Sequence, residues 1–144
     1  MRTRTLRGRF VENGIKRLVV DDGNLNQAYK VVEFYLWANP ASTNNDCYGA
    51  LAKESSFSPM QDASDNAQIA WASTVVDGTG GQQTPFTIVD PNHLVIRDLY
   101  VSGAVSGSGG SEEINYMVVL QPVSISTDEA VLTLVKERSQ SDLR

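Results

Sequence analysis

Apolar and polar residues alternate in short runs along most of the chain, with turn-forming residues between them. Residues 3–11 alternate loosely and predict a strand. Glu12-Asn13-Gly14 predicts a hairpin turn, because Asn-Gly tolerates the positive φ that tight turns need, and Ile15 to Val20 is the expected return strand. Asp21-Asp22-Gly23-Asn24 is a loop signal. Gln27 to Ala38 is the longest β-like run. Tyr29, Val31, Tyr35 and Trp37 share one face at period two, interrupted by Glu33, while Val32, Phe34, Leu36 and Ala38 share the other. With both faces apolar, this strand is expected to be central and covered on both sides.

Asn39-Pro40 ends that run, and a polar turn follows. Further strands are predicted over Cys47 to Lys53, Gln68 to Val76, Pro85 to Val89, Leu94 to Val101 and Ile114 to Val123. Gly103 to Gly110, rich in glycine and serine, reads as a hairpin tip. Residues 126–140 predict the one helix. Ser126 and Glu129 make a capping box, Ile125 can staple onto Ala130, and Ala130, Val131, Leu134 and Val135 form an apolar stripe at helical spacing. Strands that do not alternate with helices argue against a doubly wound α/β fold. The expected architecture is all-β: a single β-sandwich domain over 1–144, jelly-roll-like, of about eight strands, closed by a C-terminal α-helix.

A chain of 144 residues with 41% hydrophobic and 20% charged residues suits one globular core. No window approaches the ~18 consecutive apolar residues of a membrane-spanning helix, so no membrane partner is expected. No apolar stretch follows the arginine-rich start, so no secretory signal is expected either, and synthesis is expected in the cytoplasm. The net charge of -5 is unevenly spread. Residues 1–20 carry Arg2, Arg4, Arg7, Arg9, Lys16 and Arg17 against the single acid Glu12, and the remaining residues hold six bases against sixteen acids. A basic arm or strand over 1–11 on an acidic body fits an ordinary strand with solvated arginines first, then an acidic neighbour or nucleic acid, and the acidic body disfavours the last.

Candidate chemistry is sparse. One cysteine, Cys47, and one histidine, His93, disfavour cysteine or histidine metal cages and catalytic triads. His93 with Asp90 or Asp98 can be written as a dyad, but a loop histidine is the preferred reading. Cys47 is read as a packed residue rather than a nucleophile. Asp21, Asp22, Asn24 and Asn26 offer oxygens around Gly23, yet their spacing fails the EF-hand pattern. Glu54, Asp62 and Asp65 make a second acidic loop, also read as solvated. Residues Gly107 to Gly110 lack the Lys-Ser/Thr of a phosphate loop. Tyr35, Trp37, Trp71 and Tyr100 are candidates for a sugar platform, with core packing preferred. No cofactor, metal or small-molecule substrate is expected.

Several stretches resemble small virion proteins that recur in marine bacteriophage genomes. They are Arg2-Thr3-Arg4-Thr5-Leu6-Arg7, Ile69-Ala70-Trp71-Ala72, Val89-Asp90-Pro91-Asn92-His93, Ile114-Asn115-Tyr116, and the end from Ser126 through Leu134-Val135-Lys136-Glu137-Arg138-Ser139-Gln140. The resemblance implies a structural, non-enzymatic role in the particle. The expectation is a capsid decoration (cement) or minor capsid protein located in the virion. It would assemble in many copies, as a homo-oligomer and on the major capsid protein, with Arg2, Arg4, Arg7 and Arg9 as assembly contacts. A carbohydrate-binding or host-adhesion module is the first alternative. An internal nucleic-acid-contacting protein is the second.

Overall fold

The computed structural model describes residues 2–21, 23, 27–39, 46–57, 60–76, 83–106, 110–125, 132 and 135. Within them eight strands follow one another: β1 (Arg4–Val11), β2 (Ile15–Val19), β3 (Gln27–Asn39), β4 (Cys47–Ala52), β5 (Gln68–Val76), β6 (Gln83–Val89), β7 (Asp98–Val105) and β8 (Glu113–Ser124). They form two antiparallel sheets, ordered β1-β8-β3 and β2-β7-β4-β5-β6. Apart from Leu132 and Val135, the described residues are all-β, as the alternation predicts. The inner faces of both sheets share one core, in which Phe34, Leu36, Leu51, Leu99, Ile114 and Leu120 are fully buried. Each such side chain stabilises the fold by roughly 1.5–3 kcal/mol relative to exposure.

The expected β1–β2 hairpin does not form. β1 pairs with β8 in one sheet, and β2 pairs with β7 in the other. Asn13 does adopt positive φ (63°), so the Asn-Gly signal is right locally. The turn is instead a corner that carries the chain from one sheet to the next. The β7–β8 connection makes the same crossing beside it, so Gly103 to Gly110 is not a hairpin tip. The two corners are joined by backbone bonds, from Glu12 N to Glu112 O (2.8 Å) and from Asn13 N to Gly103 O (2.8 Å). Glu12 is only 5% exposed. Its carboxylate accepts from the amides of Val105 (3.2 Å) and Glu112 (3.1 Å). Those amides end β7 and precede β8, where no strand partner is at hand. A carboxylate with two acceptor oxygens satisfies both at once.

β3 is not central. It is an edge strand, and β8 holds the middle of the three-stranded sheet. The apolar character of both its faces has a different cause. The register against β8 shifts between Val31 and Glu33, so Val32 is a bulge residue. Tyr29 and Val31 face the core before the bulge, and Phe34, Leu36 and Ala38 face it afterwards. One inward face thus appears in the sequence as two half-faces of opposite phase.

β7 begins four residues later than expected. Leu94, Val95 and Ile96 are apolar because they cover the outer edge of β3. Val95 bridges Tyr29, and Ile96 packs with Ala28 and Ile125 in a second small cluster. Gly103 lies inside β7, opposite Gly49 of β4. A Cβ on Gly49 would run into the Ser102 carbonyl, Leu36 and the Gly103 backbone. Gly49 lets Leu36 of the facing sheet close in, and Gly103 does the same for Ile114. The helix expected over 126–140 lies outside the described residues except for Leu132 and Val135. Both are helical and exposed, so Val135 does not bury against the sheets as its place in the stripe implied.

Glu12→Ala is expected to strand two amides at the corner, at about 1–3 kcal/mol each, and Glu12→Gln to cost less because one acceptor remains. Chemical denaturation measures both. An unchanged unfolding free energy for Glu12→Ala would mean that the corner holds without its carboxylate.

Candidate functional site

A sandwich of two open sheets has two sides where edge strands face each other. On one side β3 packs against β6 and β5, and the Thr74 hydroxyl donates to Leu36 O (2.5 Å). That side is shut. On the other side β1 and β2 barely touch. The gap between them is a shallow groove of about 370 Å³, lined by Thr5, Leu6, Arg7, Lys16, Arg17, Leu18, Val19 and Tyr116.

The basic residues of the N-terminal segment gather at this open side. Arg2 is exposed just ahead of β1. Arg4 turns between the sheets. Its guanidinium donates to Val20 O (2.9 Å) and Val19 O (3.3 Å) and lies over the Tyr29 ring at 5.5 Å. It therefore ties the start of β1 to the end of β2 rather than reaching outward. Arg7 and Arg9 project from the outer face and are exposed. Arg9 pairs with Glu113 at 2.9 Å, whereas Arg7 has no ion-pair partner among the described residues. Lys16 points into the gap, with Nζ 3.5 Å from Arg9 O and 5.5 Å from the centre of the Tyr116 ring. Arg17 pairs with Asp98 at 2.8 Å. So the basic segment is not a loose arm: Arg4–Val11 is a strand paired along β8, and Arg2, Arg7 and Arg9 are exposed. Val11, Ile15 and Val19, each about half exposed, add apolar surface to the same flank.

The sequence placed Lys16 and Arg17 in the basic segment without singling them out. It contained no sign that a second strand would bring them beside Arg7 and Arg9. Around the outer face of the β1-β8-β3 sheet, Arg7, Arg9, Trp37, Asn115 and Met117 border a second shallow concavity. Trp37 and Tyr35 lie on this face, while Trp71 and Tyr100 lie on the outer face of the other sheet. The four aromatics therefore do not meet in one platform. Trp71 instead donates from Nε1 to Gln68 Oε1 (2.8 Å).

The remaining candidates have structural tasks. His93 is 6% exposed and accepts the Val31 amide on Nε2 (2.9 Å). Its Nδ1 contacts Asp90 O, which fixes the neutral Nδ1–H tautomer. No dyad forms. The Asp90 carboxylate accepts from Asn92 N, and Asp98 belongs to Arg17. Val31 N points away from β8, so the imidazole caps a backbone donor on the β3 edge that would otherwise be buried without a partner. Cys47 is buried in the core, and burial, with Glu12 adding to it, pushes its thiol up to about 12. Asp62 holds the Ser64 hydroxyl and amide, which lower its pKa, and Asp65 accepts from Ala67 N. These carboxylates shape the 60–67 loop. Asp21 accepts from Gly23 N, and its neighbours Asp22, Asn24 and Asn26 lie outside the described residues. Among the described residues no three metal-ligating side chains gather, and no helix is long and apolar enough to cross a membrane.

Burial is the main cause that holds His93 below its ordinary pKa; Lys53 and Lys30 add to it, and Asp90 opposes. The folded state keeps the imidazole neutral while the unfolded chain takes up a proton below about pH 6.5. Stability is therefore full above that pH and falls as the pH drops through the lowered folded value. His93→Ala is expected to cost about 1–3 kcal/mol at neutral pH, through the stranded Val31 amide, and to flatten this acid-side slope. Thermal unfolding measured from pH 8 to pH 5 checks both. An unchanged slope in the variant would assign the acid loss to other groups.

Comparison with protein-family models, with curated proteins and with solved structures gives no match.

Proposed function

We propose that the chain is a non-enzymatic structural protein of a bacteriophage virion, a capsid decoration or minor capsid protein that attaches in many copies through its basic β1–β2 flank. The strand order carries this reading. β1-β8-β3 facing β2-β7-β4-β5 is the order of a jelly roll, a fold used by viral capsid and lectin domains. β6 departs from the pattern by pairing with β5, and it still lies beside β3. The resemblance of the opening, central and closing stretches to virion proteins of marine phages supports the same reading.

The charge distribution supplies the means of attachment. A flank bearing Arg2, Arg7, Arg9, Lys16 and Arg17 on a chain of net charge -5 steers an acidic surface to one side of the molecule. That surface belongs to the major shell protein or a neighbouring copy. Exposed ion pairs contribute only ~0–1 kcal/mol each, so a single copy holds weakly. Repetition on a symmetric shell makes the attachment firm. The split of Tyr35 and Trp37 from Trp71 and Tyr100 weighs against a sugar platform. The acid-rich remainder of the chain weighs against phosphate backbones.

Particles from the organism that encodes this chain provide the test. The chain is expected to band with particles at low salt and to be released by a high-salt wash. Rebinding to the stripped particles by the Arg7→Glu/Arg9→Glu double variant should be weaker by roughly thirtyfold, the loss of two exposed pairs at the upper end of their range. A chain that stays in the soluble fraction, or rebinding indifferent to charge reversal, would overturn the proposal.

A further inference from the structure

We infer that the free edge of β1 is a strand-addition site, which takes an extended segment of another protein with acidic residues on one face and apolar residues on the other. This rests on reading the β1–β2 flank as the attachment surface, and it says how the partner is held there.

The four sheet edges differ. Tyr29 N and O exchange bonds with Val95 (both 2.9 Å), and His93 takes Val31 N, so the β3 edge is capped. At β6, Asp90 N donates to Ile69 O, which fixes the alternation along the β5–β6 pair. Residues 84, 86 and 88 bond β5, and 83, 85, 87 and 89 turn outward. Pro85 is among the outward group and has no N–H to offer, a known device for blunting an edge. At β2, the inward-pointing Lys16 is another such device. β1 has none. Glu12 N donates to Glu112 O, so the even residues of β1 bond β8, and Thr5, Arg7, Arg9 and Val11 direct their backbone groups outward. Two contacts agree with this alternation: Arg9 O meets Lys16 Nζ, and Val11 O accepts from Gly14 N (3.0 Å). The amides and carbonyls of Thr5 and Arg7 have no partner among the described residues.

The surroundings specify the guest. An added strand lies between β1 and β2, where it displaces the Arg4 bonds to Val19 O and Val20 O and the Lys16 contact with Arg9 O. Its outer-face residues stand beside Thr5, Arg7 and Arg9, where acids are favoured as cross-strand partners. Its inner-face residues enter the groove over Leu6, Leu18 and Tyr116, where apolar side chains fill the gap. A second β1 is excluded because it would set arginine against arginine. The other described edges of a second copy, at β2, β3 and β6, carry the blunting residues named above. The guest therefore comes from a different protein. Backbone bonds supply affinity and alternate side chains supply selectivity in this mode of recognition.

The probe is a synthetic peptide of alternating glutamate and valine, titrated into the full chain by fluorescence anisotropy, with hydrogen exchange read at the β1 amides. The expected result is saturable binding with protection of the Thr5 and Arg7 amides. The same peptide with every backbone nitrogen methylated, and an alternating lysine–valine peptide, should each bind at least about tenfold more weakly. Thr5→Pro removes one outward donor without touching the β8 ladder or the charge. It should weaken binding similarly while the circular dichroism stays unchanged. Equal binding of the methylated peptide without protection would overturn strand addition and leave charge-driven attachment standing. Failure of every acidic peptide at low salt would overturn both readings. Self-association of the protein alone, salt-sensitive and protecting the same amides, would overturn the choice of a different protein as donor.

Discussion

Everything in this fold depends on the paired corner at Glu12. Two chain segments cross from one sheet to the other side by side there, and each crossing leaves backbone amides without a strand partner. Each buried amide left bare costs about as much as one core side chain contributes. One carboxylate, held at 5% exposure, accepts the amides of Val105 and Glu112. It thereby fixes β1 on β8 and β2 on β7 at once. With those pairs set, β8 becomes the centre of the small sheet and β7 lies one strand in from the edge of the large one. β3 is left to close the far side against β6. The open β1–β2 side follows from the same corner, because the crossing sends the two strands into different sheets and nothing else in the described chain fills the space between them.

The positions of the strands were legible in the sequence because alternation is a local property. Seven of the eight spans fall within a few residues of their predicted limits, and turn residues mark the breaks. Partnerships were not legible, since they are decided by contacts far apart in sequence. Asn13-Gly14 shows the difference: the positive φ at Asn13 is a local demand and was readable, while the choice between a hairpin and a corner depends on Glu112 and Gly103, about ninety residues away. β3 misled for another reason. A one-residue bulge at Val32 inverts the phase of a period-two pattern, so an edge strand with one buried face looks like a central strand with two. Leu94 to Ile96 looked like a strand because covering an edge also takes apolar residues.

The candidate surface was half legible. The clustering of Arg2, Arg4, Arg7 and Arg9 was plain, and their outward or inward turn was not. Arg4 differs from Arg7 and Arg9 in parity along β1, and parity has meaning only once the strand is known to pair with β8 on its even residues. Glu12 had a sign that was available, as the single acid among six bases in the first twenty residues. An acid placed against the prevailing charge invites the question of what it binds, and the answer lay in backbone amides rather than in a neighbouring arginine.

The unequal treatment of the edges ties fold to function. An unpaired strand edge is a hazard in any β protein, and devices against it carry a cost in stability or in sequence freedom. Here a buried imidazole caps β3, a proline blunts β6 and an inward lysine guards β2, each by a different chemistry. An edge left open at Thr5 and Arg7, beside exposed arginines, is open to one class of guest. Arginines on the outer face repel a like strand and admit an acidic one, so the same residues that prevent self-pairing of β1 select its partner. Defence and recognition are then a single property of the strand, and the selectivity of the open side requires no residue beyond those that keep the protein from aggregating.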